Sequence, residues 1–536
     1  MCVTAEGLHI ETRPLIEGPT VRDAVMQLLA ELEMTTIFGN PGSTELPMFR
    51  DLSQQFRYIL GLQESVVVGM ADGFAQATGR AALVNLHSSA GVGHAMGNIF
   101  TAYRNKTPLV ITAGQQARSI LPYEPFLFAE RATEMPRPFV KWAVEPARAQ
   151  DVPLAIARAW HIAMQPPFGP TFVSIPIDDW DAPCQPITHA RKSGRTGADP
   201  EIIGEIADTL SSGTKLAIVA GAGVAHDGAR AALKQLAEAL SADVWIAPMA
   251  ARNPFPEDHG LFKGFLPASR EAIVQRLNGA DRVLVLGAPA FTYHVEGHGP
   301  FIPEGAQLIQ ISSDPSDASR VPEGLAVVGN LRLTLEAVLA QLPERAPAPL
   351  AAPTPRPAPD ASSLTDALLI HRLHALRPKG IAIVEEAPST RGPLHDYFPI
   401  CDGDEFHTCA SGGLGHSMPA AVGVALGRPD RKTLCIMGDG SAMYAIQSLW
   451  SAAHHQADVR FVIVNNGGYA ALDQFGAMFG IEVVGSKLPG IDFVGIAQAQ
   501  GVPAERVSDP ADLDSAIMRL FEGAGPCLLE VMVSRN

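Results

Sequence analysis

The sequence predicts an α/β protein of three doubly wound parallel-sheet domains, and three observations lead there. Short apolar runs recur with helix-length stretches between them, the pattern of parallel strands covered on both faces. Several runs end in clusters of glycine, asparagine, serine and aspartate, as strands do at a ligand-binding sheet edge. The chain also breaks twice, at residues 193–200 and at 343–360, where seven prolines stand. The units expected are 18–192, 200–342 and 361–536, with 343–360 as an extended, semi-rigid linker. A length of 536 residues suits about three domains.

Hydrophobic residues make up 47% and charged residues 18% of the chain, as in an ordinary α/β enzyme. The net charge of −16 argues against nucleic acid or an anionic membrane surface as partner. No run of 18 apolar residues exists, so no membrane span is expected. Residues 1–19 carry acidic and basic side chains without an apolar centre, unlike a secretory leader. Cys2, Cys184, Cys401, Cys409, Cys435 and Cys527 are scattered with no C-x-x-C pair and read as reduced thiols of a cytoplasmic protein.

In the first unit Thr20 reads as a helix N-cap, with Asp23 in the first turn and Val25, Leu28, Leu29 and Leu32 on one face. A strand at 35–38 leads into Gly39-Asn40-Pro41-Gly42-Ser43-Thr44-Glu45, a corner of turn formers that exposes Ser43. A helix starts near Glu64 and carries Val66, Val67, Met70 and Ala71. Strands follow at 82–86, 109–112 and 170–175, the first running into His87-Ser88-Ser89. The second unit has strands near 216–220, 244–247, 282–286 and 307–311. Its Gly221-Ala222-Gly223 hints at a dinucleotide site, but Asp227 stands in place of the third glycine and no acidic partner follows. The third unit has strands at 381–384, 434–437, 460–464 and 527–533. Units one and three share size and alternation, which points to two similar domains separated by a divergent one.

The most informative stretch is in the third unit. The strand at 434–437 ends in Gly438-Asp439-Gly440-Ser441, the strand at 460–464 ends in Asn465-Asn466, and one crossover helix is expected between them at 445–455. Such ends lie side by side at the carboxyl edge of a doubly wound sheet. Asp439 and Asn466 then offer hard oxygen ligands suited to Mg²⁺ or Ca²⁺, and the glycines leave room for phosphate. Ser389, just past Glu385-Glu386, could add a hydroxyl. Glu64 stands between apolar runs, where an exposed acid is unnatural. His87 stands at a strand end and His294 in a loop after a second-unit strand, places where an imidazole could move protons. His454-His455, within the crossover helix, reads as structural.

The Gly438–Ser441 and Asn465-Asn466 pair resembles the diphosphate anchor of thiamine diphosphate enzymes. Nearly the whole chain resembles the decarboxylases of that family, and among them the benzoylformate decarboxylase type. The runs that carry the likeness include Asn40-Pro41-Gly42-Ser43, Leu62-Gln63-Glu64, Asn85-Leu86-His87-Ser88, Tyr293-His294, Gly412-Gly413-Leu414-Gly415 and Pro489-Gly490-Ile491-Asp492. Ser43, His87 and His294 together are narrower than the rest. The resemblance implies a pyrimidine-binding first domain, a central domain and a diphosphate-binding third domain. It implies non-oxidative decarboxylation of an aromatic 2-oxo acid to an aldehyde and CO₂, through a carbanion at thiamine C2 and an enamine. Glu64 would hold the aminopyrimidine, from a neighbouring subunit, so a homo-oligomer is implied, as a dimer of dimers with sites between subunits. Ser43 would orient the substrate carboxylate, and His87 and His294 would handle protons. Asn40, Pro41, Ser389, Gly412, Leu414, Gly438, Gly440, Ser441 and Tyr469 would contact the cofactor, with Leu414 as the wedge beneath it. Asp439, Asn466 and the Gly468 carbonyl would hold the metal.

Phe126, Leu127, Ala471, Leu472 and Phe475 are expected to make an apolar pocket for a ring. Four positions depart from the family, the first being Gly468, which stands where the family has a threonine and still offers its carbonyl. Thr408 replaces a pocket aromatic, Lys487 replaces a leucine, and Pro388 replaces a threonine near the cofactor. Thr408 and Lys487 belong to the expected substrate pocket, and Lys487 either sits in a solvated loop or favours a polar substrate tail. The alternatives weighed are a thiamine-dependent carboligase or aldehyde lyase, a decarboxylase of another 2-oxo acid, an acetolactate-synthase-like enzyme, a nicotinamide-binding oxidoreductase resting on Gly221-Ala222-Gly223, and a silent assembly subunit.

Overall fold

A computed structural model describes residues 18–344, 350 and 356–534. Cys2 and much of the expected linker, 345–349 and 351–355, lie outside them. The described strands form three six-stranded sheets, parallel throughout. The first holds β1 (Thr36–Gly39), β2 (Arg57–Leu60), β3 (Ala82–Leu86), β4 (Leu109–Gln115), β5 (Ala143–Val144) and β6 (Thr171–Pro176). The central sheet holds β7 (Leu216–Ala220), β8 (Asp243–Ile246), β9 (Phe262–Phe265), β10 (Arg282–Leu286), β11 (Gln307–Ser312) and β12 (Leu325–Val328). The third holds β13 (Ala382–Glu386), β14 (Glu405–Thr408), β15 (Thr433–Gly438), β16 (Val459–Asn465), β17 (Ala504–Val507) and β18 (Cys527–Met532).

The first sheet runs β2-β1-β3-β4-β6-β5 and the third β14-β13-β15-β16-β18-β17, the same order of second, first, third, fourth, sixth, fifth. The central sheet runs β12-β11-β10-β7-β8-β9, the order of a dinucleotide-binding sheet. The likeness of units one and three is therefore one of topology, and the central unit differs in kind. Several interior strands are buried along their whole length, among them β3, β4, β6 and β16. The crossover expected at 445–455 is two short helices, Asp439–Met443 and Ser448–His454.

Local chemistry sets the helix starts. Thr20 and Asp23 form a capping box for the helix Val21–Glu31. Gln63 caps Glu64–Thr78, which stops at Gly79 with φ of +67°. The helix Glu64–Thr78 crosses Ser417–Gly427 of the third unit on glycines. A Cβ on Gly73 would stand 2.7 Å from Ala420 Cα, and one on Gly423 2.7 Å from the Phe74 nitrogen. One hydrophobic core consequently runs from Val66 and Met70 through to Val384 and Met418.

Polar groups tie the same crossing. Buried Asp72 pairs with buried His416 and accepts from Asn105 Nδ2 at 2.8 Å. Burial alone would raise the Asp72 carboxyl, but His416 and the hydrogen bonds hold it below its ordinary 3.8. Burial alone would lower His416, but Asp72 and Glu386 hold it above its ordinary 6.5. The imidazolium's contribution is thus complete below pH 6.5 and is lost as pH rises through the raised value. The carboxylate's is present above pH 3.8 and is lost as pH falls through the lowered one. Asp72→Asn is expected to remove about 3–5 kcal/mol near pH 6, the effect of breaking a buried pair. Its thermal midpoint, followed by calorimetry, should fall less than the wild type's as pH rises beyond neutral. Parallel pH profiles for the two proteins would discard this account.

Candidate active site

The carboxyl edge of the third sheet gathers one cluster of the candidate residues. Gly438 pairs with Val464, so Asp439 and Asn465-Asn466 leave neighbouring strands side by side. Asp439 is buried, and its Oδ1 accepts the Gly440 N–H at 2.9 Å. Tyr469 lies on Gly440: a Cβ there would stand 2.7 Å from Tyr469 Cδ1, so only glycine fits. The two asparagines do different work. Asn465 Nδ2 donates to Glu530 at 2.7 Å and its Oδ1 accepts the Gly467 N–H, which pins the strand end. Asn466 Nδ2 lies 3.4 Å from Ser389 Oγ on the loop after β13. Gly467 and Gly468, with φ of +75° and +152°, take conformations that suit glycine.

A carboxylate, an amide oxygen and a main-chain carbonyl at Asp439, Asn466 and Gly468 make the hard donor set that Mg²⁺ or Ca²⁺ takes, with phosphate oxygens supplying the remainder. With no side chain on Gly438 or Gly440, these residues fit a metal-bound diphosphate.

Leu414 is half-buried on the loop after β14. Glu386, at the end of β13, accepts the N–H groups of Gly415 at 2.6 Å, His416 at 3.0 Å and Ser417 at 2.7 Å. Burial nevertheless raises its carboxyl above the ordinary value. From the first unit, Asn98 Nδ2 donates to the Gly415 carbonyl at 3.3 Å and Thr101 meets Ser411 Oγ at 2.8 Å. The Gly412–Leu414 turn is therefore clamped from two units.

The first unit gathers a second cluster around a residue that sequence reasoning passed over. Glu45 is buried, and its carboxylate accepts from Gly42 N at 2.9 Å, Gly114 N at 3.0 Å and Thr44 Oγ1 at 2.5 Å. It also meets His87 Nδ1 at 2.8 Å. A carboxylate on Nδ1 holds the ring's N–H there and leaves Nε2 for chemistry. Gly42 lies against the same ring with no room for a Cβ. The available signal was one acid within a loop of neutral turn formers.

Glu64 is the first residue of its helix. Its largely buried carboxylate lies 3.1 Å from His94 Nδ1. Gly91 stands between Glu64 and His87: a Cβ there would lie 3.4 Å from Glu64 Oε1 and 3.6 Å from His87 Cβ. Ser43 is exposed on the loop that holds Glu45, beside half-buried Asn40 and exposed Pro41. Leu127 is half-buried, and its carbonyl accepts Ser88 Oγ at 2.8 Å. Phe126 is 88% exposed.

His294 is exposed in the second unit. Its N–H donates to the Ala268 carbonyl at 2.8 Å, and its ring stacks on Phe475 with centroids 5.1 Å apart. Ala471 is half-buried beside exposed Leu472 and Phe475. Thr408 is buried, with Oγ1 at 2.9 Å from both the carbonyl and the carboxylate of Glu385 and from Arg391 Nη2. Lys487 is 66% exposed and pairs with Asp473 at 2.9 Å.

Two other sequence features find structural uses. Gly221 and Gly223 pack against Gly287, where a Cβ on Gly223 would stand 2.7 Å from Gly287 Cα. Asp227 accepts the Leu331 N–H at 2.7 Å. His455 Nε2 meets the Leu60 carbonyl at 3.0 Å, and His454 stacks on Trp450. Among the described residues, no helix is long and apolar enough to cross a membrane.

Paired sheets of like order, with a Gly-Asp-Gly-Ser/Asn-Asn edge on one and a buried-acid edge on the other, define a class, and comparison agrees. Residues 19–133 match the N-terminal thiamine pyrophosphate-binding domain, 203–338 the central domain and 390–531 the C-terminal thiamine pyrophosphate-binding domain of the thiamine pyrophosphate enzymes. The chain belongs to the thiamine diphosphate-dependent decarboxylase family. It is 41% identical to benzoylformate decarboxylase of Pseudomonas aeruginosa over 521 residues, 96% of this chain and 98% of that one. The solved benzoylformate decarboxylase of Polynucleobacter necessarius superposes with a TM-score of 0.94 at 39% identity, over 96% of this chain and 99% of the other. A thiamine diphosphate-dependent 4-hydroxybenzoylformate decarboxylase of Rhodococcus jostii RHA1 gives 0.93 at 38%, over 97% and 100%.

Proposed function

We propose that the protein decarboxylates an aromatic 2-oxo acid to the aldehyde and CO₂ with thiamine diphosphate and a divalent metal, Mg²⁺ or Ca²⁺. The observation that carries this reading is His87 held at Nδ1 by buried Glu45 beside Glu64, a proton-handling pair next to an acid. The likeness along the whole chain to benzoylformate decarboxylases supports the substrate class. When bound, thiamine diphosphate supplies the electron sink that makes loss of CO₂ possible.

The chain's own residues do the rest. Asp439, Asn466 and the Gly468 carbonyl hold the metal, with Ser389 and Ser441 beside the diphosphate. Glu64 holds the aminopyrimidine, and Leu414, on its clamped turn, supports the ring system. Ser43 binds the substrate carboxylate. His87 exchanges a proton through Nε2, and His294, braced on Phe475, serves the product side. A second copy of the chain completes each site. The exposed apolar side chains of the 120–126 and 472–484 segments, among them Tyr123 at 81% and Phe479 at 68% exposed, support such an interface. The assembly proposed is a dimer of dimers.

Protein supplied with Mg²⁺ and thiamine diphosphate should convert benzoylformate to benzaldehyde, followed through a coupled alcohol dehydrogenase. Absence of turnover across a panel of aryl and alkyl 2-oxo acids would overturn the reading. Product formed only from paired aldehydes would favour the carboligase.

A further inference from the structure

One ion pair, between a buried carboxylate and a partly exposed guanidinium, takes no part in the chemistry above, and its guanidinium lines a cavity. Arg391 opens the helix Arg391–Tyr397, two residues after Ser389. Its Nε and Nη2 reach Glu385 Oε2 at 3.0 and 2.8 Å, and Nη2 also meets Thr408 Oγ1 at 2.9 Å. Burial would raise the Glu385 carboxyl, but Arg391 and the hydrogen bonds hold it below its ordinary value. The pair is charged. Among the described residues Nη1 has no such partner, and the side chain is 31% exposed.

That exposure faces a cavity of about 900 Å³ between the central and third units. Three of its lining groups are tied to the candidate site. Arg391 follows Ser389, Thr408 precedes the Gly412–Leu414 turn, and Ala268 holds the His294 main chain. Leu266, Phe265 and Phe406 add apolar wall. Thr408 is also where the family pattern carries an aromatic ring, and here its buried hydroxyl is held by Glu385 and Arg391.

We infer that Arg391, fixed by Glu385 and Thr408, is a specificity-determining residue that receives a carboxylate or other anionic oxygen at the far end of the substrate's ring. This rests on the decarboxylase reading and names the substrate class within it. A planar guanidinium already anchored at two nitrogens loses little freedom when a third N–H meets an acceptor. The other cations are engaged elsewhere: Lys487 pairs with Asp473, and on the cavity wall Lys263 pairs with Asp243, Arg356 with Asp396, and Arg276 lies over Trp245.

The variant Glu385→Gln/Arg391→Gln removes both charges together and so avoids stranding one in the interior. Calorimetric titration with 4-carboxybenzaldehyde and with benzaldehyde measures recognition without turnover. The wild type should bind the carboxylated aldehyde about tenfold to a hundredfold more tightly, the range for a charge-assisted hydrogen bond. The double variant should lose that difference, and Arg391→Lys should keep part of it. In turnover, the wild type's KM for 4-carboxybenzoylformate should lie below that for benzoylformate, and the double variant should bring the two together. Equal binding of the two aldehydes by the wild type, or a preference that survives in the double variant, would refute the inference. Loss of turnover on every 2-oxo acid with the binding preference intact would instead sink the decarboxylase reading and leave the Arg391 site standing.

Discussion

Glu64→Gln is expected to abolish most activity, lowering kcat by about 10²–10⁴-fold, the usual worth of a positioned acid–base group. Glu64 is the first residue of its helix, and Gln63, not Glu64, supplies the cap through its bond to Val66 N at 3.1 Å. The carboxylate is therefore spare to the helix. It is largely buried beside Gly91 and His87, a placement that helix formation does not require. The substitution keeps shape and hydrogen bonding and removes only the charge. Thiamine diphosphate should still bind, within a few-fold by fluorescence quenching, and the fold should be unchanged by circular dichroism. A variant with wild-type kcat on the best substrate would remove Glu64 from the mechanism.

Asp439→Ala should act earlier, on loading. Asp439 is the one carboxylate among the three proposed metal donors, so its loss leaves two neutral oxygens facing a divalent cation and a diphosphate. Thiamine diphosphate affinity at fixed Mg²⁺ should fall by more than about 100-fold, beyond the 10–100-fold typical of outer-shell changes. Equilibrium dialysis measures this directly. Prolonged dialysis of the wild type against a chelator should reproduce the loss, and added Mg²⁺ should restore the wild type but not the variant. Retention of cofactor by Asp439→Ala would assign the metal elsewhere.

Which strands the chain revealed follows a simple rule. Every interior strand of the three sheets was legible as an apolar run, because a strand covered on both faces must be apolar along its length. The strands that went unread are β2, β5, β9, β12, β14 and β17, which are the six sheet edges. They have two to four residues and each carries half-buried or exposed positions, so no run marks them. The divided crossover between β15 and β16 escaped for a related reason: Asp439–Met443 and Ser448–His454 are too short to show a period.

For the candidate site, the sequence by itself determined the residue types that need a specific neighbour in the chain. The glycines of 438–440, the Asn465-Asn466 pair and the Ser43 loop are local patterns at strand ends, readable wherever the strands are. What Glu45, Glu386 and Arg391 do was decided only by tertiary structure, because their partners are distant in sequence. Glu45 meets His87 and Gly114, 42 and 69 residues away, and Glu386 holds residues 29–31 positions on. A buried carboxylate is stable only where donors converge on it, and that convergence is a property of the folded sheet edge. Lys487 shows the same limit from the other side. Its charge left open a pocket role or a solvated loop, and it pairs with half-buried Asp473, while a partly exposed cation that no local pattern marked lines the cavity.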